Sequence, residues 1–116
     1  MNEVVNHFIG GQQVAGNTDR LGNVYNPATG AVIRQTPLST KNEVMSAIAA
    51  AKEAFPAWSR ATALKRSRIM AKFKFLLEEN LERIAASISE EHGKVYSDAI
   101  GEATRGIEVV EFAMGG

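Results

Sequence analysis

Closely spaced turn signals cluster before Leu38, and the rest of the chain is a long run of helix formers. Gly10-Gly11, Gly16-Asn17, Gly22-Asn23, Asn26-Pro27 and Gly30 punctuate the first part. The second part is rich in Ala, Leu, Ile, Glu, Lys and Arg. Such a chain is constrained to an α+β class: short N-terminal β-hairpins over residues 1–38, then three helices over residues 39–116. With 116 residues it has enough chain for one domain with a modest core.

Local signals mark the elements in order. Phe8-Ile9 and Gln12-Gln13-Val14 flank Gly10-Gly11, which predicts a tight hairpin because both central residues tolerate positive φ. Asn26-Pro27-Ala28-Thr29-Gly30 predicts a turn between Asn23-Val24-Tyr25 and the strand candidate Ala31–Thr36, which Pro37 ends. Thr40-Lys41-Asn42-Glu43 is a capping box. The first helix comes next, with Val44, Ile48, Ala51 and Phe55 on one face, and Pro56 ending or bending it.

A second helix is expected from Thr62 to Gly93, striped by Ile69, Phe73, Leu77, Leu81, Ile84 and Ile88, with Gly93 as its left-handed cap. Unbroken, it would be about 45 Å long and would overhang the rest of the chain. Its Lys65, Arg66 and Arg68 lie near the N-terminus and its Glu90 and Glu91 near the C-terminus, against the macrodipole. Lys74–Glu78 and Glu79–Arg83 stand at pairing spacing. Two readings are open: a solvated face, or end charges that meet protein outside this chain. The third helix runs from Ser97 to Met114, with Ile100, Ala103, Ile107 and Val110 as its apolar stripe. Gly101 and Gly106 weaken it and suggest the close approach of another backbone.

Composition excludes several chemistries. The 13 basic and 13 acidic residues balance, so no bulk charge draws the chain to nucleic acid or an acidic membrane. No apolar run is long enough to span a bilayer, and Met1–Val5 lacks the pattern of a signal peptide, so a cytoplasmic address is expected. The cysteine count is zero, which removes thiol nucleophiles, thiolate metal ligands and disulfides together. The two histidines, His7 and His92, are far apart in sequence, and no metal motif is present; no metal is expected.

Other patterns are ambiguous. Gly93-Lys94 lacks the rest of a phosphate-binding loop, and Gly10-Gly11 with Gly16 does not open a helix as a dinucleotide fingerprint does. Glu90-Glu91 point to different sides of a helix and are not a catalytic pair. The basic stretch Lys65, Arg66, Arg68, Lys72, Lys74, interleaved with Ile69, Met70, Phe73 and Phe75, reads as a core helix with a basic outer face or as a nucleic-acid or membrane-surface helix. His7 and His92 read as hydrogen-bonded structural imidazoles, and Trp58 as a core or interface aromatic. Arg105, next to the buried face marked by Ile100 and Ile107, reads from spacing alone as a helix-surface arginine. Its guanidinium fork is nonetheless suited to gripping a carboxylate where water is excluded.

A resemblance adds to these readings. Phe8-Ile9-Gly10-Gly11, then Asn26-Pro27-Ala28-Thr29-Gly30-Ala31-Val32-Ile33, then Ala54-Phe55-Pro56-Ala57-Trp58 resemble successive N-terminal landmarks of aldehyde dehydrogenases. Glu91-His92-Gly93-Lys94 is similar to the Glu-x-Gly-Lys that closes the long helix there. Gly101-Glu102-Ala103-Thr104-Arg105-Gly106-Ile107-Glu108-Val109-Val110-Glu111-Phe112-Ala113 resembles the matching helix of the CoA-acylating methylmalonate-semialdehyde dehydrogenases.

That resemblance implies NAD-dependent oxidation of a methylmalonate or malonate semialdehyde to an acyl-CoA, with NAD as cofactor and CoA as co-substrate of the complete enzyme. It implies that Arg105 holds the substrate's carboxylate. The family's cysteine nucleophile, activating glutamate and dinucleotide-binding crossover have no counterpart in this sequence. The expectation is an N-terminal portion that is inactive alone, with no catalytic, cofactor-binding or metal-binding residue and no cofactor of its own. The expected partners are the semialdehyde in the complete enzyme, and either the rest of the enzyme or a second copy of the chain. The competing reading is a stand-alone helical protein-interaction module.

Overall fold

The computed structural model describes residues 3–115, which form two compact units that divide between Ser59 and Arg60. The first holds strands β1 (His7–Ile9), β2 (Gln12–Val14), β3 (Leu21–Asn26) and β4 (Ala31–Pro37), then helix α1 (Lys41–Arg60), which ends at the junction. The second holds α2 (Ala63–Glu79), α3 (Leu81–His92) and α4 (Tyr96–Ala113). The α+β class and the two N-terminal hairpins are as the sequence predicts.

The β1–β2 hairpin pairs Ile9 with Gln12, so its loop is Gly10-Gly11, and both glycines have positive φ, +62° and +78°. That is the two-residue turn whose twist matches that of paired strands. β3 and β4 are antiparallel, with a bulge between Val24 and Tyr25. Their turn is closed by the Gly30 N–H donating to the Asn26 carbonyl at 2.7 Å and by the Ala28 N–H donating to Asn26 Oδ1 at 3.0 Å. Beside β4 runs a parallel bridge at Val4, in which Val5 N–H donates to Gln35 O and Gln35 N–H donates to Glu3 O, both at 2.8 Å. No periodicity in so short a stretch announces it.

Pro37 is the one buried residue described in the first unit. Gly16 lies against it: a Cβ built on Gly16 would sit 2.5 Å from Pro37 Cβ. Gly16→Ala should therefore destabilise this unit by about 1–3 kcal/mol, the usual cost of overpacking. Urea unfolding followed by circular dichroism checks this, and an unchanged midpoint would contradict it.

The capping box forms as expected. Glu43 N–H donates to Thr40 Oγ1 at 3.2 Å, and Thr40 N–H donates to Glu43 Oε1 at 3.0 Å. The helix does not end at Pro56; it continues to Arg60. Every residue from Ala51 to Arg60 is exposed, so the Lys52 carbonyl that Pro56 leaves without a donor can turn to water. The expected core face of α1 is exposed too, with Val44 at 48 %, Ile48 at 55 % and Phe55 at 65 %. The half-buried face is instead Glu43, Ala47 and Ala50. The short strands of this unit do not cover an apolar stripe about three turns long. Trp58, expected as a core or interface aromatic, is exposed and belongs to no core of this unit.

The expected single helix from Thr62 to Gly93 is two helices. Asn80 takes φ −105° and ψ 12°, ends α2, and starts α3 at once. Its side-chain Nδ2 donates to the Leu76 carbonyl at 2.8 Å, the local competition with helical bonding that makes Asn a poor interior residue. The pieces are roughly 26 and 18 Å long, so the expected overhang disappears. The break also separates Glu79 from Arg83, which reaches Asn80 Oδ1 instead. Lys74 and Glu78, on one side of the break, do pair at 3.2 Å.

α4 packs on both α2 and α3. Ala85 of α3 and Ala99 of α4 are fully buried, and Ile107 is 8 % exposed. The expected stripe of Ile100, Ala103, Ile107 and Val110 is the inward face of α4. α2 behaves differently. Ile69 and Phe73, expected in its core stripe, are exposed. The side of α2 facing α4 carries Ser67, whose Oγ donates to Met114 O at 2.7 Å, and Lys74, which reaches Glu111 at 3.3 Å. α2 has apolar residues nearly all round, so its period alone does not say which side meets α4. Two separate compact units of this total mass would expose about 7,400 Å². This chain exposes 8705 Å², and large apolar side chains such as Phe8, Phe55 and Phe112 are among what it exposes.

Candidate functional site

The residues that could act on a small molecule meet where α3 turns into α4. Gly93, at φ 85°, caps α3 in the left-handed conformation, as the sequence predicts. Only Lys94 and Val95 then precede α4. Asp98, Gly101, Glu102 and Arg105 recur at three- and four-residue steps, so they share one face of α4. With Lys94 and Ser97 they line an open polar groove. The opposite face of α4 carries Ala99 and Ile107, which fix the helix in its unit.

Within the groove the Lys94 ammonium is ion-paired with the Glu102 carboxylate. Lys94 holds the Glu102 carboxyl below the usual range, by its hydrogen bond first and by its charge second. Partial desolvation opposes this, and the charges of His92 and Arg105 add to it. Arg105 is exposed and makes no hydrogen bond or ion pair among the described residues. Around Gly101 and Gly106 there is open space: a Cβ built on either meets nothing within 4 Å. The close backbone approach expected there is therefore not made by the described residues. A guanidinium fork held on a rigid helix beside open space has the geometry to bind a carboxylate through two parallel hydrogen bonds.

A second cluster lies in the first unit. His7 Nε2 is 3.1 Å from Glu43 Oε2 and 3.4 Å from Ser39 Oγ. Glu43 also accepts from the Asn17 N–H at 3.0 Å. The grouping of Ser, His and Glu is not a catalytic triad. In a triad the two imidazole nitrogens face the hydroxyl and the carboxylate separately, whereas here one nitrogen faces both. His7 has the hydrogen-bonded structural role the sequence suggests. His92 does not: it is exposed at the end of α3 and makes no hydrogen bond among the described residues.

Glu43 carries a pH prediction. The backbone N–H of Thr40, then that of Asn17, lower its carboxyl from 4.5 to about 2, with smaller help from His7 and the Thr40 hydroxyl. A carboxyl whose folded pKa is depressed contributes stability that is complete above its unfolded value. That contribution is lost as pH falls from 4.5 towards 2. A carbon-detected NMR titration of the Glu43 carboxyl should show this low midpoint, and Glu43→Gln should remove the acid-side loss in that window. A midpoint near 4.5 would contradict it.

Among the described residues no three His, Asp or Glu side chains group closely enough to hold a metal ion, and no helix is long and apolar enough to cross a membrane. The sequence pointed to Arg105 but missed the Lys94–Glu102 pair. Lys94 lies in a turn outside any helical period, so no spacing rule connects it to α4.

Comparison with known proteins defines the class. Residues 14–116 match the model of the aldehyde dehydrogenase family, and the chain belongs to that family. Among its relatives is malonate-semialdehyde dehydrogenase 2 of Bacillus thuringiensis strain Al Hakam, 50% identical over 113 residues, which are 97% of this chain and 23% of that protein. The fold matches the crystal structure of methylmalonate-semialdehyde dehydrogenase from Oceanimonas doudoroffii with a TM-score of 0.93 and 47% identity, over 99% of this chain and 23% of that one. It also matches a protein assigned as a methylmalonate-semialdehyde dehydrogenase from Sinorhizobium meliloti 1021, complexed with NAD, with a TM-score of 0.94 and 40% identity, over 99% of this chain and 23% of that one. The chain thus spans about a quarter of the length of the relatives it matches.

Proposed function

We propose that this chain is the N-terminal part of an NAD-dependent, CoA-acylating methylmalonate- or malonate-semialdehyde dehydrogenase, in which Arg105 holds the carboxylate of the substrate. The observation that carries this reading is the Arg105 guanidinium on the open groove of α4, unpaired among the described residues. Relatives at up to 50% identity that act on carboxylated semialdehydes support the substrate class. In this role the rigid helix orients the semialdehyde by its charged end, so that the aldehyde carbon meets a nucleophile contributed from outside these residues.

The described residues do not themselves fit a dinucleotide site. Their strands form two antiparallel hairpins, and among them no glycine-rich strand-to-helix turn of a β–α–β crossover is present. No step involving NAD or CoA is assigned to them.

The chain alone should give no NADH from malonate semialdehyde, NAD and CoA, because it has no cysteine to form the thiohemiacetal. Turnover by the pure chain, followed at the NADH absorbance, would refute this.

The reading of the chain as a protein-interaction module keeps one observation in its favour. Large apolar side chains stand open, among them Phe8 at 75 % and Phe112 at 77 %. In the dehydrogenase reading, the remainder of the enzyme or a second copy covers them. Sedimentation of the chain as a non-associating monomer would count against a self-associating module.

A further inference from the structure

Arg105 makes no hydrogen bond or ion pair among the described residues, although a carboxylate stands at pairing spacing on its own helix. Glu102 stands three residues before Arg105 on α4, a spacing at which acid and base normally pair. Long side chains on a helix lean towards its N-terminus, so Arg105 leans towards Glu102. Glu108, three residues after Arg105, is on the side it leans away from. Acid before base is also the better order along a helix. Glu102 is therefore the natural internal partner of Arg105, and Asp98, one turn further on, extends the same acidic face.

The structure shows another arrangement. Lys94, from the turn after Gly93, takes the Glu102 carboxylate, while Arg105 acts on that carboxylate through its charge alone and makes no hydrogen bond or ion pair among the described residues. Glu111 on the same helix is held in the same way, by Lys74 of α2 at 3.3 Å. Each of these glutamates is engaged by a lysine from outside α4, and the guanidinium of Arg105 makes no ion pair among the described residues.

We propose that Lys94 is a specificity-positioning residue: by holding Glu102 it keeps the Arg105 guanidinium free for the carboxylate of an anionic substrate. This rests on the reading of Arg105 given above. Without Lys94, two effects act together. Glu102 turns to Arg105 and occupies its fork, and an uncompensated negative charge stands beside the incoming carboxylate. Unit charges roughly 6 Å apart shift a binding constant about threefold in water, and more where the site is partly desolvated. An uncharged aldehyde feels neither effect.

The test uses a full-length enzyme assembled from this segment and the remaining part of the Bacillus thuringiensis relative. The readout is the ratio of kcat/KM for malonate semialdehyde to that for propanal, with KM and kcat resolved for each. Lys94→Met should lower the ratio by about fivefold or more, through KM for malonate semialdehyde. Adding Glu102→Gln should restore it, because the competing carboxylate is gone. Lys94→Arg should keep it, because the pair survives.

An unchanged ratio in Lys94→Met overturns the inference. So does a loss that Glu102→Gln fails to restore, since Lys94 would then act in some way other than holding Glu102. Arg105→Leu in the same background separates the two levels. If it abolishes the preference while Lys94→Met leaves it intact, only the inference about Lys94 fails. If Arg105→Leu itself leaves the preference intact, the carboxylate role of Arg105 fails and this inference falls with it.

Discussion

Arg105→Leu, in an enzyme completed with the remaining part of the Bacillus thuringiensis relative, should lower kcat/KM for malonate semialdehyde by about 100-fold. Two charge-assisted hydrogen bonds and a counter-charge are lost together, and about 2.7 kcal/mol of transition-state stabilisation corresponds to that factor. Propanal has no carboxylate, so its kcat/KM should change by less than about threefold. Arg105→Lys should fall between, because a point charge remains but the planar fork does not. Steady-state NADH production with both aldehydes measures this. Equal losses on the two substrates would show that Arg105 supports the fold rather than the substrate.

Ile107→Ala should have the largest effect on stability. Its side chain is 8 % exposed at the packing of α4, in a unit whose other buried residues, among those described, are Ala85 and Ala99. Removing a buried isoleucine down to the β-carbon costs about 2–5 kcal/mol, depending on how far the surroundings collapse. A unit of this size has only a few kcal/mol in hand, so the substitution should unfold much of it. Hydrogen exchange of the α4 amides reads this directly. Protection within a factor of about three of the unsubstituted chain would mean that Ile107 does not hold α4 in place.

Local features were legible where the cause is local. The Gly10-Gly11 turn, the Thr40–Glu43 capping box, the Gly93 cap and the inward face of α4 each arise from a few neighbouring residues. The break at Asn80 was missed because an apolar stripe at helical spacing continues across it. The stripe reports which side chains seek cover, and it is blind to one asparagine whose side chain competes for the backbone. The faces of α1 and α2 were misassigned for a related reason. Each helix carries more apolar surface than this chain can cover, so burial there depends on what lies nearby and not on period.

Arg105 stands between these cases. Its residue type and its place near the buried face of α4 could be read from sequence, and family likeness gave it a role. Spacing alone reads it as a helix-surface arginine. Only the folded turn at Gly93 brings Lys94 to Glu102 and leaves the arginine unpaired among the described residues.

Residue identity and contacts a few positions apart were enough to set the class of fold, its turns and caps, and the absence of a thiol. Where the long helix breaks, which faces are covered and which cation holds Glu102 were settled only by tertiary packing. Those outcomes depend on competition between groups from different elements, and the fold alone sets the distances at which they compete.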